Sequence, residues 1–168
     1  LPHSRNWAFC GIATLIGVLE SNDQSPARGT TGDLNKLSSG IYIKGQGTSG
    51  AGMASRMRQA GLKDAQYTTD GDAQKVIRTL DAGQPVPLGV VSLTGTIVTV
   101  NSKGSARYGN QVKPGAKWNK TFGASGHWVT VVGYEGSAER PTAFLVNDPD
   151  TGARLRLTPD QLATSAAM

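Results

Sequence analysis

The 168 residues contain a single cysteine and only two histidines. One cysteine excludes an intrachain disulfide and any multi-thiolate zinc site. The histidines, His3 and His127, form no i, i+3 or i, i+4 ligand pair, so we expect no metal and no bound cofactor. No apolar run approaches the roughly 18 residues of a membrane-spanning helix, and the first residues lack a signal-peptide core. Lys and Arg outnumber Asp and Glu, 17 to 12, for a formal charge of +5. That balance favours acidic partners in general, but there is no Lys/Arg run and no aromatic-interleaved basic segment. The charge is assigned to solubility, and no nucleic-acid partner is expected. Low cysteine usage does not place the chain in a compartment, so localisation stays open.

A chain of this length buries roughly 70% of the surface its unfolded form exposes, enough for a core without staples. We expect a single domain over residues 1–168 with one core. A start at Leu1 rather than Met leads us to expect a segment excised from a larger protein, and no internal repeat or low-complexity tract interrupts it.

Residues 9–20 place Ile12, Leu15, Ile16 and Leu19 at the spacing of a buried helical stripe. Cys10 then falls in the first helical turn, where free N–H groups and the helix dipole favour an anion and hence a thiolate. Residues 21–47 read as loop or a short helix around Asp33–Leu37, before an extended Ile41-Tyr42-Ile43. A second helix over 49–60 turns Met53, Met57 and Ala60 inward and stops at Gly61. A third, from about Asp72 to Leu80, buries Val76, Ile77 and Leu80 and stops at Gly83. From Pro85 the pattern becomes β-rich: Val86, Leu88, Val90, Val91 and Leu93 form a run, and Ile97 to Val100 continue it after a Thr-Gly turn. The polar, Gly-containing connection 101–125, which carries Trp118, is too long for a structureless loop and suggests a substrate loop or a hairpin. A meander follows: His127–Tyr134, Thr142–Asn147 and Ala153–Leu157. Thr158-Pro159 opens a last helix, with Thr158 as its N-cap. Helices first and an antiparallel sheet second make the fold class α+β.

A thiol hydrolase needs a thiolate at a helix N-terminus, an imidazole to hold its proton and a group that orients the imidazole. Cys10, His127 and either Asn147 or Asp148 answer that description, because antiparallel neighbours bring a strand start beside the next strand's end. Each has a plainer reading. Cys10 alone reads as a small buried hydrophobe, Asp148 as the start of an Asp-Pro-Asp-Thr-Gly turn, and Asn6 as a helix cap. Trp128, beside the histidine, reads as core. His3 is given no role.

The blocks Asn6-Trp-Ala-Phe-Cys-Gly-Ile-Ala, Gly126-His-Trp-Val-Thr-Val-Val-Gly-Tyr and Phe144-Leu-Val-Asn-Asp-Pro-Asp-Thr-Gly resemble the motifs of papain-like cysteine peptidases. The resemblance is to the bacteriocin-processing (double-glycine leader) peptidase group and related bacterial effector proteases. It extends over Gly45 to Leu62, where a Gly-Thr, a helix and a Gly-Leu recur, and so covers nearly the whole chain. It implies a papain-like fold with Cys10 as nucleophile on the first helix, His127 as base and Asp148 as third member, Asn147 being the alternative. It further implies a protein or peptide substrate cleaved through a thioester. The same residues would serve glutamine deamidation, peptidoglycan cleavage, transglutaminase-type transfer or, without catalysis, peptide binding. If the parent protein is a secreted or translocated toxin, an immunity or inhibitor protein is the expected partner. The group's oxyanion-hole Gln, six residues before the nucleophile, is Ser4 here. Asn6 is the nearest side-chain amide, and the Cys10 backbone N–H is the other candidate donor.

Overall fold

The structure, a computed structural model, describes residues 10–22, 37–43, 47–70, 72–99, 114–122 and 126–166. The chain divides into two compact units, Leu1–Thr69 and Asp70–Met168. No helix among the described residues is long and apolar enough to cross a membrane.

In the first unit, helix α1 spans Cys10–Ser21 and buries Ile12, Leu15 and Leu19. Ile16 is only half-buried, and Thr14 and Val18 are buried in addition. The inward stripe is thus rotated slightly from the one the apolar residues alone suggest. Strands β1 (Tyr42–Ile43) and β2 (Gly47–Thr48) pair antiparallel, Tyr42 opposite Thr48. Helix α2 (Gly50–Gln59) starts on Ser49, whose hydroxyl accepts from Gly52 N, and buries Met53, Ala54 and Met57. Ala60, expected inward, is its half-buried C-cap, and the chain leaves through Gly61 at φ +104°.

The residue after Cys10 fixes how α1 meets β2. A Cβ on Gly11 would stand 2.4 Å from Thr48 Cβ, inside any tolerable contact. Gly11→Ala is therefore expected to destabilise the chain by about 1–3 kcal/mol through overpacking. Urea unfolding checks this, and adding Thr48→Gly should restore much of the loss.

The second unit is a six-stranded antiparallel sheet: β3 (Val86–Val90), β4 (Ser92–Thr99), β5 (Lys117–Thr121), β6 (His127–Gly136), β7 (Pro141–Asn147) and β8 (Arg154–Leu157), in the order β3-β6-β7-β8-β4-β5. Helix α3 (Ala73–Asp81) is capped by Asp72, which accepts from Gln74 N. It lays Val76 and Ile77 against the core, with Leu80 half-buried at the edge of that cluster. Tyr134 Oη donates to Asp81 at 2.7 Å and Gln74 Nε2 to Ala138 O at 3.2 Å, tying α3 to β6 and the turn after it. Helix α4 (Pro159–Ser165) begins with a capping box in which Thr158 and Gln161 exchange side-chain and backbone bonds.

The inward residues of the strands, including Val90, Leu93, Ile97, Val129, Val131, Phe144, Val146, Leu155 and Leu157, form one apolar cluster with Val76, Ile77 and Leu162. Each fully buried side chain of this kind contributes about 1.5–3 kcal/mol before conformational entropy is counted.

Two expectations for this region are corrected. Thr94-Gly95 is not a turn: β4 runs through it unbroken, and a Cβ on Gly95 would lie 2.9 Å from Arg156 O and Leu157 Cδ1. The glycine answers a close approach of β8. The break falls earlier, at Val91, which is 48% exposed and whose N–H donates to Ser165 O. Val91 alone joins β3, at one edge of the sheet, to β4, which lies next to the other edge. Consecutive Cα atoms are only about 3.8 Å apart, so this one-residue link forces the sheet to curl until its edges draw together. Of the connection 101–125, read as a substrate loop or a hairpin, Lys117–Thr121 forms β5 and pairs with β4, Leu93 opposite Lys120 and Gly95 opposite Trp118, while residues 101–113 and 123–125 lie outside the described ones.

Candidate active site

His127 opens β6 directly after Gly126, whose φ of +64° lies in the left-handed region open to glycine. A side chain on Gly126 would also press on Val90 O, 3.1 Å from its Cβ. Alternation along β6 then sets His127 on the same face as Val129 and Val131, opposite Val90, where it is 8% exposed. An imidazole in an apolar row needs a polar partner. His127 Nε2 lies 2.7 Å from Asp148 Oδ1. A carboxylate only accepts, so Nε2 carries the proton of that bond.

Asp148 follows the last residue of β7 and is 1% exposed. The Asp-Pro-Asp-Thr-Gly segment is a turn, and it is also what holds the carboxylate. Asp150 N donates to Oδ1 at 3.0 Å and Thr151 Oγ1 to Oδ2 at 3.1 Å, while Gly152 N bonds Asp148 O and Asp148 N bonds Ala153 O. Burial pushes the Asp148 carboxyl up. The hydrogen bond and charge of His127, the Lys120 ammonium and the Asp150 N–H outweigh that, and hold it below its ordinary range.

Asn147 points to the other face of β7 from Val146, and its Oδ1 accepts from Arg154 Nε at 2.9 Å. Of the two neighbouring candidates, Asp148 is the one at the imidazole. Trp128 is half-buried rather than in the core, because it alternates to the opposite face from His127. Cys10 is the first residue of α1, half-buried, with a free thiol. It belongs to the first unit, whereas His127 and Asp148 belong to the second. Asn6, Ser4, Trp7 and His3 lie outside the described residues.

Four residues around the histidine escaped the reading of the sequence. The Phe122 ring stacks on the imidazole with centroids 4.5 Å apart and planes 19° from parallel. Lys120 Nζ sits 2.5 Å from Asp150 Oδ2, 3.7 Å from Asp148 Oδ2 and 4.9 Å from the centre of the Phe122 ring. With Thr151 they complete the surroundings of the pair. One signal was present: Trp118-Asn-Lys120-Thr-Phe122 alternates as a strand, with a charge in the inward row between two aromatics.

The family model described as the Peptidase_C39-like family matches residues 2–163, nearly the whole chain. The chain belongs to that family. Membership in the Peptidase_C39-like family puts it in the papain-like cysteine peptidase superfamily, where the implied substrate is a peptide. The α+β architecture, as expected, is compatible with a papain-like fold. No curated protein and no solved structure matches the chain.

Proposed function

We infer that this Peptidase_C39-like chain is a thiol-dependent hydrolase cleaving a peptide or amide bond, with Cys10 as nucleophile, His127 as base and acid, and Asp148 as orienter. The observation that carries the reading is the buried 2.7 Å bond between His127 Nε2 and Asp148 Oδ1. A histidine inside an apolar row is costly, and an ionised carboxylate held by two further donors orients it for proton transfer. With Nε2 engaged by Asp148, the exchanged proton is the one at Nδ1.

In the first step the Cys10 sulfur forms a bond to the amide carbon while the C–N bond breaks, and the imidazolium proton goes to the leaving amine. Water then adds to the thioester, His127 takes its proton, and the thiolate leaves as the acid product forms. The Cys10 backbone N–H, at a helix N-terminus, is the donor we assign to the oxyanion, with Asn6 as the side-chain candidate.

One sequence feature favours a second reading. Ser4 stands where the resembling group carries its oxyanion Gln, which suits a domain that binds peptide without cleaving it. Alkylation separates the two, because Cys10 is the only thiol and every adduct reports on it. A catalytic pair predicts fast modification by iodoacetamide at about pH 6, slowed at least about tenfold in His127→Ala. Equal rates in the two proteins would remove the imidazole from the thiol's chemistry.

A further inference from the structure

Lys120 occupies a position that its strand assigns to an apolar residue. On β5 it lies between Trp118, 5% exposed, and Phe122, 8% exposed and the residue just after the strand, and it pairs across the sheet with the fully buried Leu93. Its own side chain is 12% exposed. Bringing an ammonium out of water is expensive, and a strand needing only a filled position would carry Leu or Met there. The charge stands at the junction of two structures that meet the imidazole from different sides. One is the carboxylate turn, through Asp150 Oδ2 at 2.5 Å and Asp148 Oδ2 at 3.7 Å. The other is the Phe122 ring, 4.9 Å away, which stacks on His127.

We propose that Lys120 is a positioning residue for the His127–Asp148 pair, clamping the carboxylate from the oxygen opposite the imidazole and holding Phe122 against the imidazole face. The geometry requires the curled sheet, since β5 and β6 are separated by three strands in the sheet order. His127 Nε2 binds Oδ1, so a cation on the Oδ2 side fixes the rotation of the carboxylate without competing for the same oxygen. The ring stack fixes the tilt of the imidazole, which the hydrogen bond alone leaves free. Together the two contacts define the direction of Nδ1. The role in turnover rests on the function proposed above, whereas the positioning itself does not.

The experiment exploits the scarcity of histidine. In a His3→Gln background His127 is the only imidazole, and its ring protons and Nε2–H are read directly by NMR. With Lys120 present, the Nε2–H is expected as a low-field signal protected from exchange, and the ring protons are expected upfield from the Phe122 stack. Lys120→Met should lose the protected signal and reduce the upfield displacement, and on a cleaved peptide it should lower kcat about tenfold with KM within about twofold. Lys120→Arg should retain all three, and Asp150→Asn, which loosens the lysine, should show a smaller change of the same kind. Both signatures unchanged in Lys120→Met would overturn the proposal. If Lys120→Met does not fold, Asp150→Asn decides by the same signals. NMR changes as expected in a protein that cleaves nothing would leave the clamp standing and remove the hydrolase reading instead.

Discussion

Cys10→Ala is expected to reduce kcat/KM on any peptide that the chain cleaves by at least about 10³-fold, because no other thiol can form the thioester. Covalent catalysis replaces one difficult displacement with two easier ones, and removing the nucleophile leaves only the rate that binding and any oxyanion donor give to water. Alanine is the least disruptive replacement at the start of α1, being the best helix former, so the variant should keep its circular dichroism. The measurement is cleavage of a labelled peptide library by both proteins, run alongside glutamine donors and peptidoglycan. The arm in which wild type acts and the variant does not names the substrate class. Wild-type rates from Cys10→Ala on every substrate would rule out a covalent mechanism.

The parts of this molecule that follow from local spacing were legible in the sequence. The α1 stripe, the N-cap at Thr158, the β6–β7–β8 meander and the meeting of a strand-start histidine with the end of the next strand each depend on residues near one another or on a simple antiparallel register. Asn147 ends β7 on the face opposite Val146 and Asp148 follows it, so alternation continued one residue past the strand would have separated them. What escaped depended on closure at long range. Val91 looks like one more β-former in an apolar run, yet its place between strands near opposite edges curls the sheet and carries Phe122 to His127. Gly95 reads as a turn until β8 is known to press on it. Lys120 counts only toward the overall charge until Asp148 and Asp150 are known to lie beside it. Propensity reports on neighbours along the chain, whereas these features report on neighbours across the sheet.

Removing the carboxylate should cost stability as well as activity. Asp148 is the common partner of His127, Lys120 and Thr151 inside a nearly closed environment. Asp148→Ala leaves the buried imidazole N–H and the Thr151 hydroxyl without their acceptor and Lys120 with Asp150 alone of its two aspartates, and each buried donor left unsatisfied costs about 1–3 kcal/mol. A domain's whole stability is about 5–15 kcal/mol, so urea unfolding at about pH 7 should show a large fall in midpoint. The acid side gives the test its sign. The folded carboxyl is held below its ordinary range. Its contribution is therefore complete above the unfolded carboxylate's range, and it is lost as pH falls through the depressed folded value. The difference between wild type and Asp148→Ala should narrow steadily as pH is lowered toward about 3 and below, because the wild-type protein is then losing the charge the variant never had. A gap that stays constant across that range would mean that Asp148 acts through packing and neutral hydrogen bonds. The same result would deprive the imidazole of the fixed anion on which its proposed role depends.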